Sequence, residues 1–224
     1  MIELRSEVVD AHHALVDHWS SPGAHWSPAE RVEMVSQVRA AFNAAPIEPP
    51  WRPASEAGAT SDVLPTAVVD ALWRITQHPG TLSKEWHDQV LGSGVDAVAF
   101  VELASIAAMA SLVETFTFAV GAPSPELPSS SSQSDVDKTA DQPVLPSSAV
   151  DSHWVPTTDF AGPNIRKALS AIPSELQMQG ALLDAHYVPG GAMARDLGEF
   201  VWSLERTQME LVATRTSTMN ECFY

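Results

Sequence analysis

Residues 95–121 read VDAVAFVELASIAAMASLVETFTFAVG and form the most apolar stretch of the chain. The stretch is long enough to raise the question of a membrane span. However, Glu102 and Glu114 lie within it, and a carboxylate near the middle of a membrane is energetically costly. We therefore expect a buried helix of a soluble helical bundle, with no membrane partner.

Helical signals continue on the N-terminal side of this stretch. Residues 3–19 place apolar side chains at helical spacing on one side, namely Val8, Ala11, Leu15 and Trp19. The segment SPAERVEMVSQVRAAF then has Ser27 as N-cap, Pro28 at the first helical position and Glu30 at the third. This capping-box pattern marks the start of a second helix.

The remaining N-terminal sequence also favours helices. We expect them at 66–77 and 83–92, whereas residues 46–65 are rich in proline and small polar side chains and are expected to form a loop. Almost no stretch of useful length alternates with period two, as a half-buried strand would. The sequence therefore predicts an all-α fold.

A long polar segment divides the predicted helices into two groups. Residues 122–152 contain a serine run, five prolines and almost no large apolar side chains, so they are expected to be a disordered linker with few contacts to the helices. The linker separates an N-terminal helical half, 1–121, from a C-terminal half, 153–224. In the C-terminal half the predicted helices are PNIRKALSAI, PSELQMQGALLDAHYV, GAMARDLGEFVWSL and ERTQMELVATRTSTM.

Charge and cysteine content restrict the class of protein. A formal net charge of −16 repels phosphate backbones, so nucleic acid is not an expected partner. One cysteine cannot form an internal disulfide, and the N-terminal residues are charged where a signal peptide is apolar. These observations predict a cytoplasmic protein.

The last predicted helix leads to the only cysteine. Its apolar positions have the spacing of a buried stripe, namely Met209, Val212, Ala213, Thr216 and Met219. Asn220 is a plausible N-cap for a following helix, which would place Cys222 in the first turn of that helix. There the helix dipole favours a thiolate, although Cys222 could instead be a small hydrophobic side chain.

The C-terminal residues resemble an active-site pattern. Glu210, eleven residues and Cys222 are similar to the start of the motif of the alkylhydroperoxidase D-like family, within the carboxymuconolactone decarboxylase superfamily. The resemblance implies an all-helical bundle and a peroxidase that acts on hydroperoxides with a thiol or dithiol electron donor. It also implies that Glu210 relays protons, that Cys222 is the resolving thiol, and that no cofactor or metal takes part. A homo-oligomer is expected.

The remainder of that motif is not among the 224 residues. In the family, a second cysteine and a histidine come three and seven residues after the first cysteine, which here would place both beyond Tyr224. We favour a selenocysteine codon, UGA, read as a stop after Tyr224, over a natural truncation. The chain as written is accordingly expected to have little peroxidase activity and to lack residues that cover the stripe before Cys222.

One segment of the N-terminal half is weakly similar in sequence to the end of the C-terminal half. When FVELASIAAMASLVETF is aligned with QMELVATRTSTMNECFY, Glu102 meets Glu210 and Glu114 meets Cys222. This alignment is compatible with two degenerate helical repeats, the first without redox chemistry. Equally, Glu102 could be a hydrogen-bonded glutamate on a core helix.

Two alternatives to the redox interpretation stay open. The stretch DAHHALVDHW brings His12, His13, Asp17 and His18 close together in sequence, but without a metal-binding motif, so a polar helix face is favoured over a metal site. A non-catalytic helical scaffold or binding protein with the same fold is the alternative function.

Overall fold

The structure is a computed structural model that describes residues 3–48, 52–128, 153–187 and 203–219. These ranges contain helices and two short 3₁₀ turns, at Ala54–Ala57 and Pro79–Thr81, and no strand, so the predicted all-α class is confirmed. The helices are α1 (Ser6–Trp19), α2 (Pro28–Asn43), α3 (Thr66–Gln77), α4 (Lys84–Gly92), α5 (Ala97–Val120), α6 (Asn164–Lys167), α7 (Pro173–His186) and α8 (Arg206–Met219).

Helix α5 is the central helix of the core. Its N-cap Asp96 accepts hydrogen bonds from the backbone N–H groups of Val98 and Ala99, and it ends at Gly121 with a left-handed φ of 66°. By length and composition the helix could cross a membrane, but 72% of its most apolar window is buried inside the protein. The predicted buried core helix is therefore confirmed.

Helix α2 begins at the predicted capping box. The Ser27 hydroxyl accepts from the Glu30 backbone N–H at 3.2 Å, and the Glu30 carboxylate accepts from the Ser27 N–H at 2.7 Å. Both contacts satisfy backbone donors that the first helical turn leaves free. The helix packs against α3 and α5 through fully buried side chains that include Met34 and Val38.

Helix α7 shares the core of the N-terminal helices. It packs against α1 and α5, and its Leu182 belongs to the same apolar cluster as Leu15 and Ile106. A smaller cluster joins Ile172, just before α7, to Val101 of α5. Residues on both sides of the predicted linker therefore build one hydrophobic core.

The described start of the predicted linker makes contacts that its composition did not indicate. Ser124 donates to the Glu114 carboxylate at 2.7 Å, and Arg39 donates to the Pro125 carbonyl at the same distance. Leu127 packs against the main apolar cluster. The expectation of few contacts is thus wrong for residues 122–128, and residues 129–152 lie outside the described residues.

Three of the five side chains of the predicted stripe of α8 are exposed, namely Val212, Thr216 and Met219. Val212 and Met219 are 63% and 70% exposed, and the adjacent Leu211 is 71% exposed. Arg206 is the buried residue of this helix. This exposure agrees with the expectation that the 224 residues leave the stripe uncovered, because apolar periodicity shows which side chains share a face, and not whether another element covers that face. The predicted helix at 191–204 lies almost wholly outside the described residues.

Candidate functional site

Glu210 lies on α8 in contact with two polar side chains. Its carboxylate accepts a hydrogen bond from Arg206 Nε at 2.6 Å, one helical turn earlier. The phenol of Tyr187, just after α7, also donates to Glu210. Burial, together with this hydrogen bond and the charge of Glu210, raises the pKa of Tyr187. The Glu210 side chain is 38% exposed, so this carboxylate is held in place yet open to solvent.

Cys222 and its expected helix cap Asn220 lie outside the described residues. The structure therefore brings Glu210 together with Tyr187 and Arg206, and the pairing of Glu210 with Cys222 stays a prediction.

A second group of polar residues lies inside the helical core, and we call it the buried charged cluster. It consists of His18 on α1, Arg31 on α2, Glu102 and Ser105 on α5, and Glu175 on α7. The Arg31 guanidinium donates to Glu102 and, at 3.0 Å, to Glu175. His18 Nε2 lies 2.8 Å from the same Glu175 oxygen, and Ser105 donates to the other oxygen at 2.7 Å.

The two carboxylates of the buried charged cluster have different electrostatic environments. For Glu102, burial raises the pKa, and the Arg31 charge and the backbone N–H of His25 only partly oppose that effect. For Glu175, burial acts in the same direction, but hydrogen bonds from His18 and Ser105 and the charge of Arg31 lower the pKa to about 2. Glu175 is therefore the carboxylate that stays ionised, and Glu102 is the one that accepts a proton more readily.

Gly23 packs directly against this cluster. A Cβ atom at position 23 would overlap both the Glu102 carboxylate and the Arg31 guanidinium. Glycine is needed here because of this close approach, not because of a left-handed φ, since the glycines with positive φ in the described residues are Gly58, Gly94 and Gly121.

The sequence indicates the buried charged cluster through charged residues at core positions of two helices. Arg31 lies at helical spacing from the buried Met34, Val35 and Val38 of α2. Glu175 has the same relation to Leu182 of α7. A charged residue at a core position of an amphipathic helix requires a buried partner, and that requirement would have singled out both residues.

Glu102 is thus a hydrogen-bonded glutamate on a core helix. This was one of the two sequence interpretations, and the other was a degenerate repeat. The position aligned with Cys222 is similar, because Glu114 accepts from Arg39 Nε at 2.7 Å. Both carboxylates of α5 are paired with arginines of α2. The pairing gives them a structural role and leaves the repeat hypothesis a prediction.

The histidines near the N-terminus do not converge on one site. His12 Nε2 lies 2.9 Å from Nε2 of His186 on α7, His18 contacts Glu175, and His13 and Asp17 are exposed. Across the described ranges, no three His, Cys, Asp or Glu side chains are grouped as ligands of a metal ion. A polar helix face accounts for His13 and Asp17.

The His12–His186 pair predicts a loss of stability on acidification. Burial and the charges of His12 and Arg5 lower the pKa of His186 from 6.5 to about 4. Burial and the charge of His13 also lower the pKa of His12, and the charge of Glu114 only partly opposes them. The unfolded chain therefore binds these protons first, and stability is lost as the pH falls from 6.5 towards 4. Urea unfolding across this range should show a shallower pH dependence for His186→Gln.

The exposed His13 provides the matched control for this prediction. His13→Gln should change the pH dependence of the free energy of unfolding less than His186→Gln does, because it removes only the charge that adds to the effect of burial on the pKa of His12. Equal slopes for His186→Gln and the parent would contradict the assignment of the pH dependence to the His12–His186 pair.

Comparison with protein-family models, with curated proteins and with solved structures finds no match. The fold and the site therefore rest on the residues and contacts of this chain.

Proposed function

We propose that this chain is a cytoplasmic thiol- or selenol-dependent peroxidase with an alkylhydroperoxidase D-like helical bundle. The observation that carries the proposal is the Glu210 carboxylate, which contacts Tyr187 and Arg206 and precedes the only cysteine, Cys222, by eleven intervening residues. Hydrogen bonds from a phenol and a guanidinium hold the carboxylate in one position, as a proton-relay group requires.

The proposed reaction has three steps. A thiolate or selenolate attacks the hydroperoxide, whose O–O bond breaks to give an alcohol and a sulfenic or selenenic acid. The Cys222 thiol then loses its proton and attacks the oxidised chalcogen, whose hydroxyl group takes up that proton and leaves as water, and a disulfide or selenosulfide bond forms. An external dithiol reduces that bond. By resemblance, the attacking chalcogen lies three residues after Cys222.

Glu210 would transfer the proton in the first step. It accepts the proton of the attacking thiol or selenol and returns it to the departing alkoxide. Tyr187 and Arg206 keep the carboxylate oriented through both transfers, and its partial exposure allows a water molecule to complete the relay.

Mass spectrometry of the oxidised protein tests this proposal. The protein is produced from its native gene, so that any residues translated after Tyr224 are included, and is treated with cumene hydroperoxide before free thiols are alkylated. Cys222 should be recovered in a bond to another sulfur or selenium atom, and dithiothreitol should release it. The Cys222→Ser variant should stop after one equivalent of hydroperoxide because its oxidised chalcogen has no resolving partner.

Two results would contradict the proposal. A Cys222 that stays free while hydroperoxide is consumed would remove its resolving role. Hydroperoxide consumption no faster than in buffer would remove the peroxidase assignment itself.

A non-catalytic scaffold is the second candidate, favoured by the apolar side chains exposed on α8. Leu211, Val212 and Met219 form such a surface, and surfaces of this kind commonly bind another protein chain. A second copy of this chain is the simplest partner. The scaffold is the better account if two results are obtained together. The protein consumes no hydroperoxide, and Leu211→Ser lowers the mass of its oligomer in solution.

A further inference from the structure

A cavity of about 260 Å³ lies outside the sites described above, and we call it the tryptophan pocket. It is formed between the outer face of α3, helix α4 and the chain before the first 3₁₀ turn. Its lining combines two indole rings, Trp73 and Trp86, with two guanidinium groups, Arg52 and Arg74. The remaining walls are mainly small or apolar side chains, including Ile47, Pro53 and Val90.

The polar wall of the tryptophan pocket is already organised. Arg74 donates through Nε and Nη2 to the side chain and carbonyl of Thr81 at 2.9 and 3.0 Å. Trp73 Nε1 donates to Gln37 at 2.9 Å, which fixes one indole ring. Gln77 donates to the Ala41 carbonyl at 2.9 Å. A site with its side chains held in this way loses little conformational entropy on binding.

The charge of the pocket is opposite to that of the protein. The chain as a whole has 28 acidic and 12 basic residues. Among the described residues that line the pocket, however, the one acidic side chain is Asp70, whose oxygens accept from the backbone N–H and hydroxyl of Ser55 at 2.7 and 3.0 Å. Two guanidinium groups then give a local excess of positive charge, which attracts an anion into a protein that otherwise repels anions.

From these features we infer that the tryptophan pocket binds a small aromatic carboxylate. Indole and aliphatic walls accommodate a flat apolar ring, and guanidinium groups are the natural partners of a carboxylate. The volume lies just below the usual range for ligand pockets, which selects a single-ring or fused-ring acid rather than a nucleotide or a peptide. The described residues of the proposed peroxidase site, namely Glu210, Tyr187 and Arg206, do not line this pocket.

Titration calorimetry with three probes of one shape tests the inference. Benzoate is the anionic probe, benzyl alcohol the neutral one and benzylamine the cationic one. Benzoate should bind about tenfold or more tightly than benzyl alcohol, because a hydrogen bond to a charged partner is worth about that factor. Benzylamine should not bind measurably. The indole N–H signals of Trp73 and Trp86 should shift in the NMR spectrum during the benzoate titration.

Variants of two arginines locate the effect. Arg52 is exposed, so Arg52→Gln should preserve the fold and weaken benzoate binding about tenfold. Arg215→Gln removes the same charge from the exposed part of α8 and should leave benzoate binding unchanged. Equal affinities for benzoate and benzyl alcohol, full binding by Arg52→Gln, or no benzoate binding at millimolar concentration would each overturn the inference.

Discussion

Replacing Arg31 with methionine should lower the free energy of unfolding by about 3–5 kcal/mol, because it leaves two carboxylates in the core without their counter-charge. The side chains of Arg31, Glu102 and Glu175 are at most 1% exposed, so water cannot replace the lost guanidinium. Methionine fills similar volume, and the loss therefore reports charge rather than a cavity. Urea denaturation at neutral pH measures it.

Two further measurements distinguish lost pairing from general damage. Adding Glu102→Gln and Glu175→Gln to the Arg31→Met variant removes the unpaired charges and should recover part of the stability. Arg39→Met is the matched control on the same helix, and its cost should be smaller because its side chain is 20% exposed. A loss for Arg31→Met no larger than that for Arg39→Met would contradict the prediction.

The pH dependence of the same variants follows from Glu175. Its folded-state pKa of about 2 is below the ordinary value of 4.5, so it contributes stability above pH 4.5 that is lost as the pH falls through this window towards 2. In Arg31→Met the difference between the pKa values of Glu175 in the folded and unfolded states shrinks, and this part of the acid loss should become smaller.

Replacing Glu210 with glutamine should slow hydroperoxide reduction by a factor of about 100 or more, since a positioned acid–base group typically contributes that much. Glutamine has the same shape and still accepts a hydrogen bond from Arg206, but it cannot take up a proton. The measurement is the single-turnover rate of oxidation by cumene hydroperoxide, in protein produced from the native gene. Tyr187→Phe should give a smaller loss, because it removes one hydrogen bond to the carboxylate and no proton acceptor.

Glu205→Gln is the control for Glu210→Gln, because Glu205 is an exposed carboxylate immediately before the same helix. It should leave the oxidation rate unchanged. Unchanged oxidation in Glu210→Gln, or equal effects of the two substitutions, would remove Glu210 from the proton relay while leaving the role of Cys222 to be judged by its own test.

Local sequence signals predicted most of the helices, although the helix expected at 163–172 is observed as the single turn of α6, Asn164–Lys167. Ser27, Pro28 and Glu30 form the expected capping box, and α3 occupies the predicted residues 66–77. Helix α5 is buried, as its two charged residues in an otherwise apolar stretch indicated. These features depend on neighbours within one or two helical turns, and the sequence contains that information directly.

Contacts between distant residues were not predictable in the same way. Arg31 and Glu175 are 144 positions apart, and His12 and His186 are 174 apart. Whether α8 is covered also depends on tertiary packing, so the spacing of Val212 and Met219 alone did not determine that both side chains are exposed. The resemblance singled out Glu210, but no local pattern indicated that Tyr187 would be its hydrogen-bond partner.

The close approach at Gly23 has a consequence for how sequences related to this one can vary. Since a Cβ atom there would collide with Glu102 and Arg31, selection for folded variants should retain glycine at position 23 as long as both charged side chains are present. Alanine should be accepted only together with a shortened partner such as Glu102→Asp. Positions 23, 31 and 102 would then covary as one unit, although Gly23 has no side chain and takes no part in the ion pair.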